Sequence, residues 1–231
     1  MVELEMAPSA VSLAEAQAAR GEVLRISGRT EEATAAFEQA LAFDPNSYEA
    51  NLAYARHCRG TGRLERSAEL FVRALEVQPD DYQAPLLLEQ ILFVLGRDAE
   101  AEKYALLGLN RAEEALRLHP EGSRPAQLGA GVLARLGRRS EAIRWIERAL
   151  WIDPDDVQAQ YNAACAWALL NEPDRALELL ETWAKRGGVL AKNWLESDPD
   201  LDSIRTHRRY AELLETLAAR QSQESDPSIT A

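Results

Sequence analysis

An all-α solenoid of five helix pairs, closed by a helical segment, is the fold class this sequence predicts, and three observations predict it. The hexad Ala40-Leu41-Ala42-Phe43-Asp44-Pro45 returns as Ala74-Leu75-Glu76-Val77-Gln78-Pro79, Ala115-Leu116-Arg117-Leu118-His119-Pro120 and Ala149-Leu150-Trp151-Ile152-Asp153-Pro154, with prolines 34, 41 and 34 residues apart. A second marker, Gly-Arg, stands at Gly28-Arg29, Gly62-Arg63, Gly96-Arg97 and Gly137-Arg138, at spacings of 34, 34 and 41. Two marker series with one period identify a repeat of stacked helical units. The sequence holds no alternating β-branched runs and no Asn-Gly hairpin turns, so strands are not expected.

Each unit reads as two helices. The Gly of Gly-Arg ends the first, because glycine takes the left-handed C-cap conformation without a side-chain penalty. The proline ends the second, since it cannot continue a helix. Helix starts are expected at Ser12-x-x-Glu15, Asn46-x-x-Glu49, Asp80-x-x-Gln83 and Asp155-x-x-Gln158, which resemble capping boxes. The third unit carries seven extra residues in its second helix. Seven residues fall only about 20° short of two turns, so the insertion keeps one face buried. The spacing predicts one long helix from about Asp98 to His119, with Gly108 as the alternative breaking point. The fifth unit departs from the pattern, with Asn171-Glu172-Pro173 in place of Gly-Arg and Gly187-Gly188 in place of the proline.

After the fifth unit, the stretch through Trp194, Leu195 and Asp198-Pro199-Asp200-Leu201-Asp202 leads to an amphipathic helix through Tyr210, Leu213, Leu214 and Leu217. This element is placed to hide the open apolar face of the last unit. The expected organisation is a flexible N-terminus over 1–11, the repeat array over 12–188, a capping segment over 189–220 and a disordered tail over 221–231.

Small residues Gly21, Ala55, Ala130 and Ala164 fall at the eighth place of a 34-residue unit, with Glu89 as the exception in the third. Ala33, Ala101, Ala142 and Ala176 fall at the twentieth, with Ser67 in the second unit, and Phe37 and Phe71 at the twenty-fourth. With the closing alanine and proline, residues 14–188 resemble five tetratricopeptide repeats, and the Asp-Pro-Asp-Leu-Asp stretch is similar to the closing segment of many bacterial members. The resemblance implies a right-handed solenoid whose first helices line a concave, partner-binding groove.

Composition narrows the function. The chain has 231 residues, 46% hydrophobic and 28% charged, with 38 acidic against 26 basic residues and a net charge of −12. A pI near 4.8 disfavours phosphate backbones and anionic membranes. Two distant cysteines, Cys58 and Cys165, make no disulfide framework and fit a reducing compartment. No apolar run reaches the roughly 18 residues a membrane helix needs. The start, MVELEMAPSA, has neither the basic nor the apolar region of a signal peptide. A cytoplasmic protein of bacterial type is the expectation.

No catalytic constellation is legible, so the reading is non-catalytic, with no cofactor and no metal. Nucleophile-elbow, P-loop and zinc-protease motifs are missing from the sequence. Gly129-Ala130-Gly131 lacks the third glycine of a dinucleotide loop and reads as close packing. Asp198, Asp200 and Asp202 imitate calcium-loop ligands, but Ser203 and Arg209 stand where that loop needs Gly and Glu. His57, His119 and His207 are scattered, and the cluster Arg205, His207, Arg208, Arg209 reads as a solvated face. Relatives that clamp chaperone C-termini carry Lys and Asn at places held here by Ala18, Glu22 and Ala53, so that role is not expected.

What remains is the surface. The resemblance assigns to the groove Arg25, Leu52, Arg56, Arg59, Leu86, Gln90, Phe93, Arg124, Gln127, Arg135 and Tyr161. Within an acidic chain that set is basic and apolar, which suits a partner segment bearing acidic and apolar side chains. All five tryptophans lie beyond residue 144, and Trp145 and Trp151 on a second helix mark a convex interface as the alternative. Self-association and docking on an enzyme are the rival roles.

Overall fold

The computed structural model describes residues 9–186 and 191–224, with side chains through Arg220. The described residues form twelve α-helices and one 3-10 helix, with no strand among them. The five pairs are α1 (Ala10–Ile26) with α2 (Thr30–Phe43), α3 (Tyr48–Gly60) with α4 (Leu64–Val77), α5 (Gln83–Val94) with α6 (Asp98–Leu118), α7 (Arg124–Arg135) with α8 (Arg139–Ile152), and α9 (Val157–Leu169) with α10 (Pro173–Arg186). Then follow α11 (Ala191–Ser197), the 3-10 helix Pro199–Ile204 and α12 (Arg208–Glu224). The chain divides into two compact units, Met1–Arg111 and Ala112–Ala231. The helices extend further than the sequence suggests at both ends: Ala10 and Val11 are already helical, and α12 runs to Glu224. Residues 1–8 of the expected flexible start, residues 225–231 of the tail, and Gly187-Gly188 lie outside the described residues.

The glycine markers act through backbone conformation. Gly28, Gly62, Gly96 and Gly137 have φ between 70° and 75°. At each, the following arginine N–H bonds back to a first-helix carbonyl, as Arg29 to Leu24 and Arg63 to Cys58, both at 2.9 Å, which is the Schellman closure. The fifth pair uses Asn171 instead, at φ 57°, with Glu172 N–H donating to Trp167 O at 3.0 Å. Asparagine tolerates this region better than other side-chain-bearing residues. The apparent departure therefore preserves the turn.

The helix starts lie beside the expected boxes. Ser9, Ser47 and Asp156 are the caps of α1, α3 and α9, accepting from the N–H of Ser12, Ala50 and Gln158. Asp81 Oδ2 accepts from Ala84 N–H at 2.6 Å. After each closing proline one residue is spent in a turn, seen where Ser47, Asp81 and Asp156 donate to the carbonyls of Asp44, Gln78 and Asp153. Second helices begin differently: the arginine of Gly-Arg ion-pairs with a glutamate three residues on in Arg29–Glu32, Arg97–Glu100 and Arg138–Glu141.

In the first unit α1 packs on α2 and α3, α3 on α4, and α4 on α5. The small residues are spacers. A Cβ at Gly21 would lie 2.6 Å from the ring of Phe37, which is fully buried. Ser67 fits the alanine site because its hydroxyl donates to Ala55 O at 2.8 Å. The long helix of the third pair is continuous through Gly108, where a Cβ would stand 2.7 Å from Leu86 Cγ. In the second unit α7 packs on α8 and α9, α9 on α10 and the 3-10 helix, and α12 on α10 and α11.

His57 is buried between repeats, with Nε2 2.8 Å from Thr34 Oγ1 and its ring centroid 5.5 Å from that of Phe37. Burial, aided by Arg63 and Arg25, holds its pKa below the usual histidine value. The unfolded chain therefore takes up the proton first, and folding stability falls as pH drops through the ordinary histidine range. Between pH 7 and pH 5 the thermal midpoint of the native chain is expected to fall, and His57→Gln should flatten that slope. Equal slopes in differential scanning calorimetry would remove His57 as the cause.

Candidate functional site

In the first unit the sequence-predicted groove residues separate by burial. Leu52 and Leu86 are buried and belong to the core, because neighbouring helices close over the fifth place of each unit. Arg25, Arg56, Arg59, Gln90 and Phe93 retain surface, Phe93 at 48% exposure. Arg56 Nη2 donates to Gln83 Oε1 at 3.1 Å, while its Nε is buried and bonds to nothing. Arg59 Nη1 donates to Gln90 Oε1 at 2.7 Å. Both bonds run from α3 to α5, and residues three apart on a helix share a face. Their partners are neutral amides, and among the described residues neither guanidinium has a carboxylate in ion-pair range. Arg25 differs, being paired with Glu22 at 2.7 Å.

The electrostatics follow from this arrangement. Burial draws the Arg56 pKa below the usual arginine value, with Arg59 and Arg25 pushing the same way against Glu22. Beneath it Tyr48 is half-buried, and burial together with the Asp81 carboxylate raises its phenol pKa. An arginine does not lose its proton under these conditions, so the Arg56 guanidinium stays charged although it is half-buried.

In the second unit the predicted positions are already engaged by the chain itself. Arg135 Nη1 meets Asp200 Oδ1 at 2.8 Å, with side chains only 5% and 16% exposed. Tyr161 is buried and its hydroxyl donates to Asp198 Oδ2 at 2.8 Å. Its ring packs 4.8 Å from Trp183 and 5.6 Å from Trp194. Ser203 Oγ donates to Ala168 O at 2.8 Å, and Arg205 Nη2 to Asp198 O at 2.9 Å. The segment 194–205 thus lies on α7 and α9. Gln127 is buried and structural, donating to Asp156 at 2.7 Å and Ser123 at 3.0 Å, and Arg124 donates to Gln127 at 3.2 Å. These contacts tie Arg135, Tyr161 and Gln127 to other parts of the unit, a long-range effect that the repeat pattern does not contain.

Other singled-out residues have structural employment. Asp198 caps the 3-10 helix through Asp200 N–H, and Asp202 pairs with Arg205 at 2.6 Å. Arg209 of the basic cluster holds Glu181 and Asp174. Cys165, Asp198 and Asp200 place possible metal-ligand atoms within 4.8 Å of one another, but the guanidinium of Arg135 already supplies the positive charge there. Cys58 and Cys165 are buried thiols. Trp167 is buried under Arg175 at 4.4 Å, and Trp145 is partly buried against Leu116, Ala126 and Ala149. Trp151 is 84% exposed.

The comparisons agree with this architecture. The tetratricopeptide-repeat family model matches residues 24–84. A thermophilic member of that class from Thermus thermophilus is 23% identical, covering 87% of this chain and 99% of its own, with a TM-score of 0.58. PilF of Pseudomonas aeruginosa is 20% identical over 92% of this chain and 96% of its own, with a TM-score of 0.53. PilW, a type IV pilus biogenesis factor, is 18% identical over 94% and 96%, with a TM-score of 0.55. At these identities the likeness is one of fold. No curated protein matches the chain. No helix of the described residues is long and apolar enough to cross a membrane.

Proposed function

We propose that this tetratricopeptide-repeat protein is a non-catalytic adaptor, and that the α1–α3–α5 surface of its first unit binds an acidic and apolar segment of another protein. One observation carries the reading. In a chain of net charge −12, the half-buried Arg56 and the exposed Arg59 each bond to a glutamine amide, with no carboxylate in ion-pair range among the described residues. A partner carboxylate would form a charge-assisted bond there, stronger than the neutral bonds it joins or replaces. Phe93 adds apolar surface beside Gln90. The rigid repeat presents these groups in place, so the partner segment bears most of the ordering cost.

The test is affinity capture from source-cell lysate with the native chain and an Arg56→Glu, Arg59→Glu variant of equal helicity. Proteins kept by the native bait, lost from the variant and released by rising salt would support the adaptor. The same proteins on both baits would defeat it.

A further inference from the structure

The outer face of α1 is exposed among the described residues. Ser12, Ala16, Ala19, Val23 and Ile26 are all exposed, Val23 at 65% and Ile26 at 68%, and they stand 4, 3, 4 and 3 residues apart. That is the spacing of a helix seam made to receive another helix. One repeat later, at a shift of 34, the three central places hold Ala50, Ala53 and His57, which are buried, while the outer two hold Asn46 and Gly60, which are exposed. What covers them is α2, through Thr34 on His57, Phe37 stacked on Tyr54 at 5.6 Å, and Ala40 clustered with Ala50. The fold therefore shows that this face accepts a packed helix.

We infer that α1 pairs with α1 of a second copy of this chain, parallel and in register. The flanking charges select the occupant and its direction. Glu15 and Arg20 border the seam on opposite sides, five residues apart, and neither forms an ion pair among the described residues. Arg20 donates a 3.4 Å bond to Gln17 and acts on the Glu32 carboxylate from a distance, without an ion pair. In a parallel seam a residue on one flank meets the residue five further along on the opposite flank of its partner. Glu15 of each copy then meets Arg20 of the other, twice by symmetry. An antiparallel pair would instead set Glu15 against Glu22. The second helix of the fifth pair, α10, is packed against the chain's own α12, so it does not offer the bare face that α2 turns to α3. A closed two-fold dimer follows.

Two alanines in the seam let the helices approach closely but bury little area, so the dimer is weak and concentration-dependent. This inference is independent of the Arg56 and Arg59 surface.

Sedimentation equilibrium on the full chain, through the high micromolar range, tests it. The mass is expected to rise from 25.7 kDa toward twice that value. Val23→Glu with Ile26→Glu should weaken association by about 100-fold, with helicity unchanged because both side chains are exposed in the monomer. Glu15→Arg or Arg20→Glu alone should weaken it roughly tenfold, and the two together should restore it. A native chain that stays monomeric overturns the proposal. So does a dimer indifferent to Val23 and Ile26, or a double charge swap that fails to restore association.

Discussion

Replacing Arg135 by methionine is expected to lower the stability of the second unit by about 3 kcal/mol, because one half of a nearly buried ion pair is removed and the other stays. The guanidinium at 5% exposure leaves Asp200 at 16%, with its oxygen aimed into α7 and little water to replace the lost bond. Asp198 stands two residues away and holds Tyr161, so the loss spreads to the ring packing of Tyr161 with Trp183 and Trp194. All five tryptophans belong to this unit, and urea unfolding followed by their fluorescence reports on it alone. The midpoint should fall for Arg135→Met, and pairing it with Asp200→Leu should return most of the loss, since a buried apolar pair replaces a buried ionic one at little cost. A midpoint unchanged in the single variant would show that the Arg135–Asp200 pair adds nothing to the hold on the segment 194–205.

Gly108→Ala should destabilise the first unit by about 2 kcal/mol, against the usual sign of this substitution. In an exposed helix alanine gains about 1 kcal/mol over glycine. Here the new Cβ would sit 2.7 Å from Leu86 Cγ and 3.0 Å from the Leu86 backbone nitrogen. Leu86 is fully buried and has no space to retreat into, so the overpacking exceeds the propensity gain. Gly60→Ala supplies the contrast, because nothing lies within 4 Å of a Cβ there. That variant should stabilise by up to about 0.5 kcal/mol at the end of its helix. Far-UV circular dichroism in urea distinguishes the two, and a stabilised Gly108→Ala chain would mean that α5 and α6 separate at no cost.

The same glycine shows where sequence reasoning stops. Periodic glycines and prolines act on their own backbone, so the helix pairs and their turns are legible without any tertiary knowledge. Gly108 leaves two readings open, a break or a close approach, and only Leu86 on another helix decides between them. The cap positions slip for a similar reason: Asp80-Asp81 and Asp155-Asp156 offer two capping side chains each, and the turn after the proline uses the second. The site is legible as a set of helix places but not as a surface. Leu52 and Leu86 look identical in register to groove residues and are core, while Arg135 is claimed by an aspartate 65 residues away. A contact that does not repeat leaves no mark on a repeat.

The closing segment also limits where a further repeat could be inserted. It grips Arg135 on α7 and both Tyr161 and Ala168 on α9, side chains and a carbonyl that belong to two particular repeats. A repeat of unrelated sequence inserted between α8 and α9 would pull that grip apart, and one added after α10 without a tyrosine at the place of Tyr161 would leave the segment without that bond. A duplication upstream, between α2 and α3, would leave every one of these bonds in place. The segment therefore ties the fourth and fifth pairs into one fixed set, while the pairs before α7 carry no part of that grip.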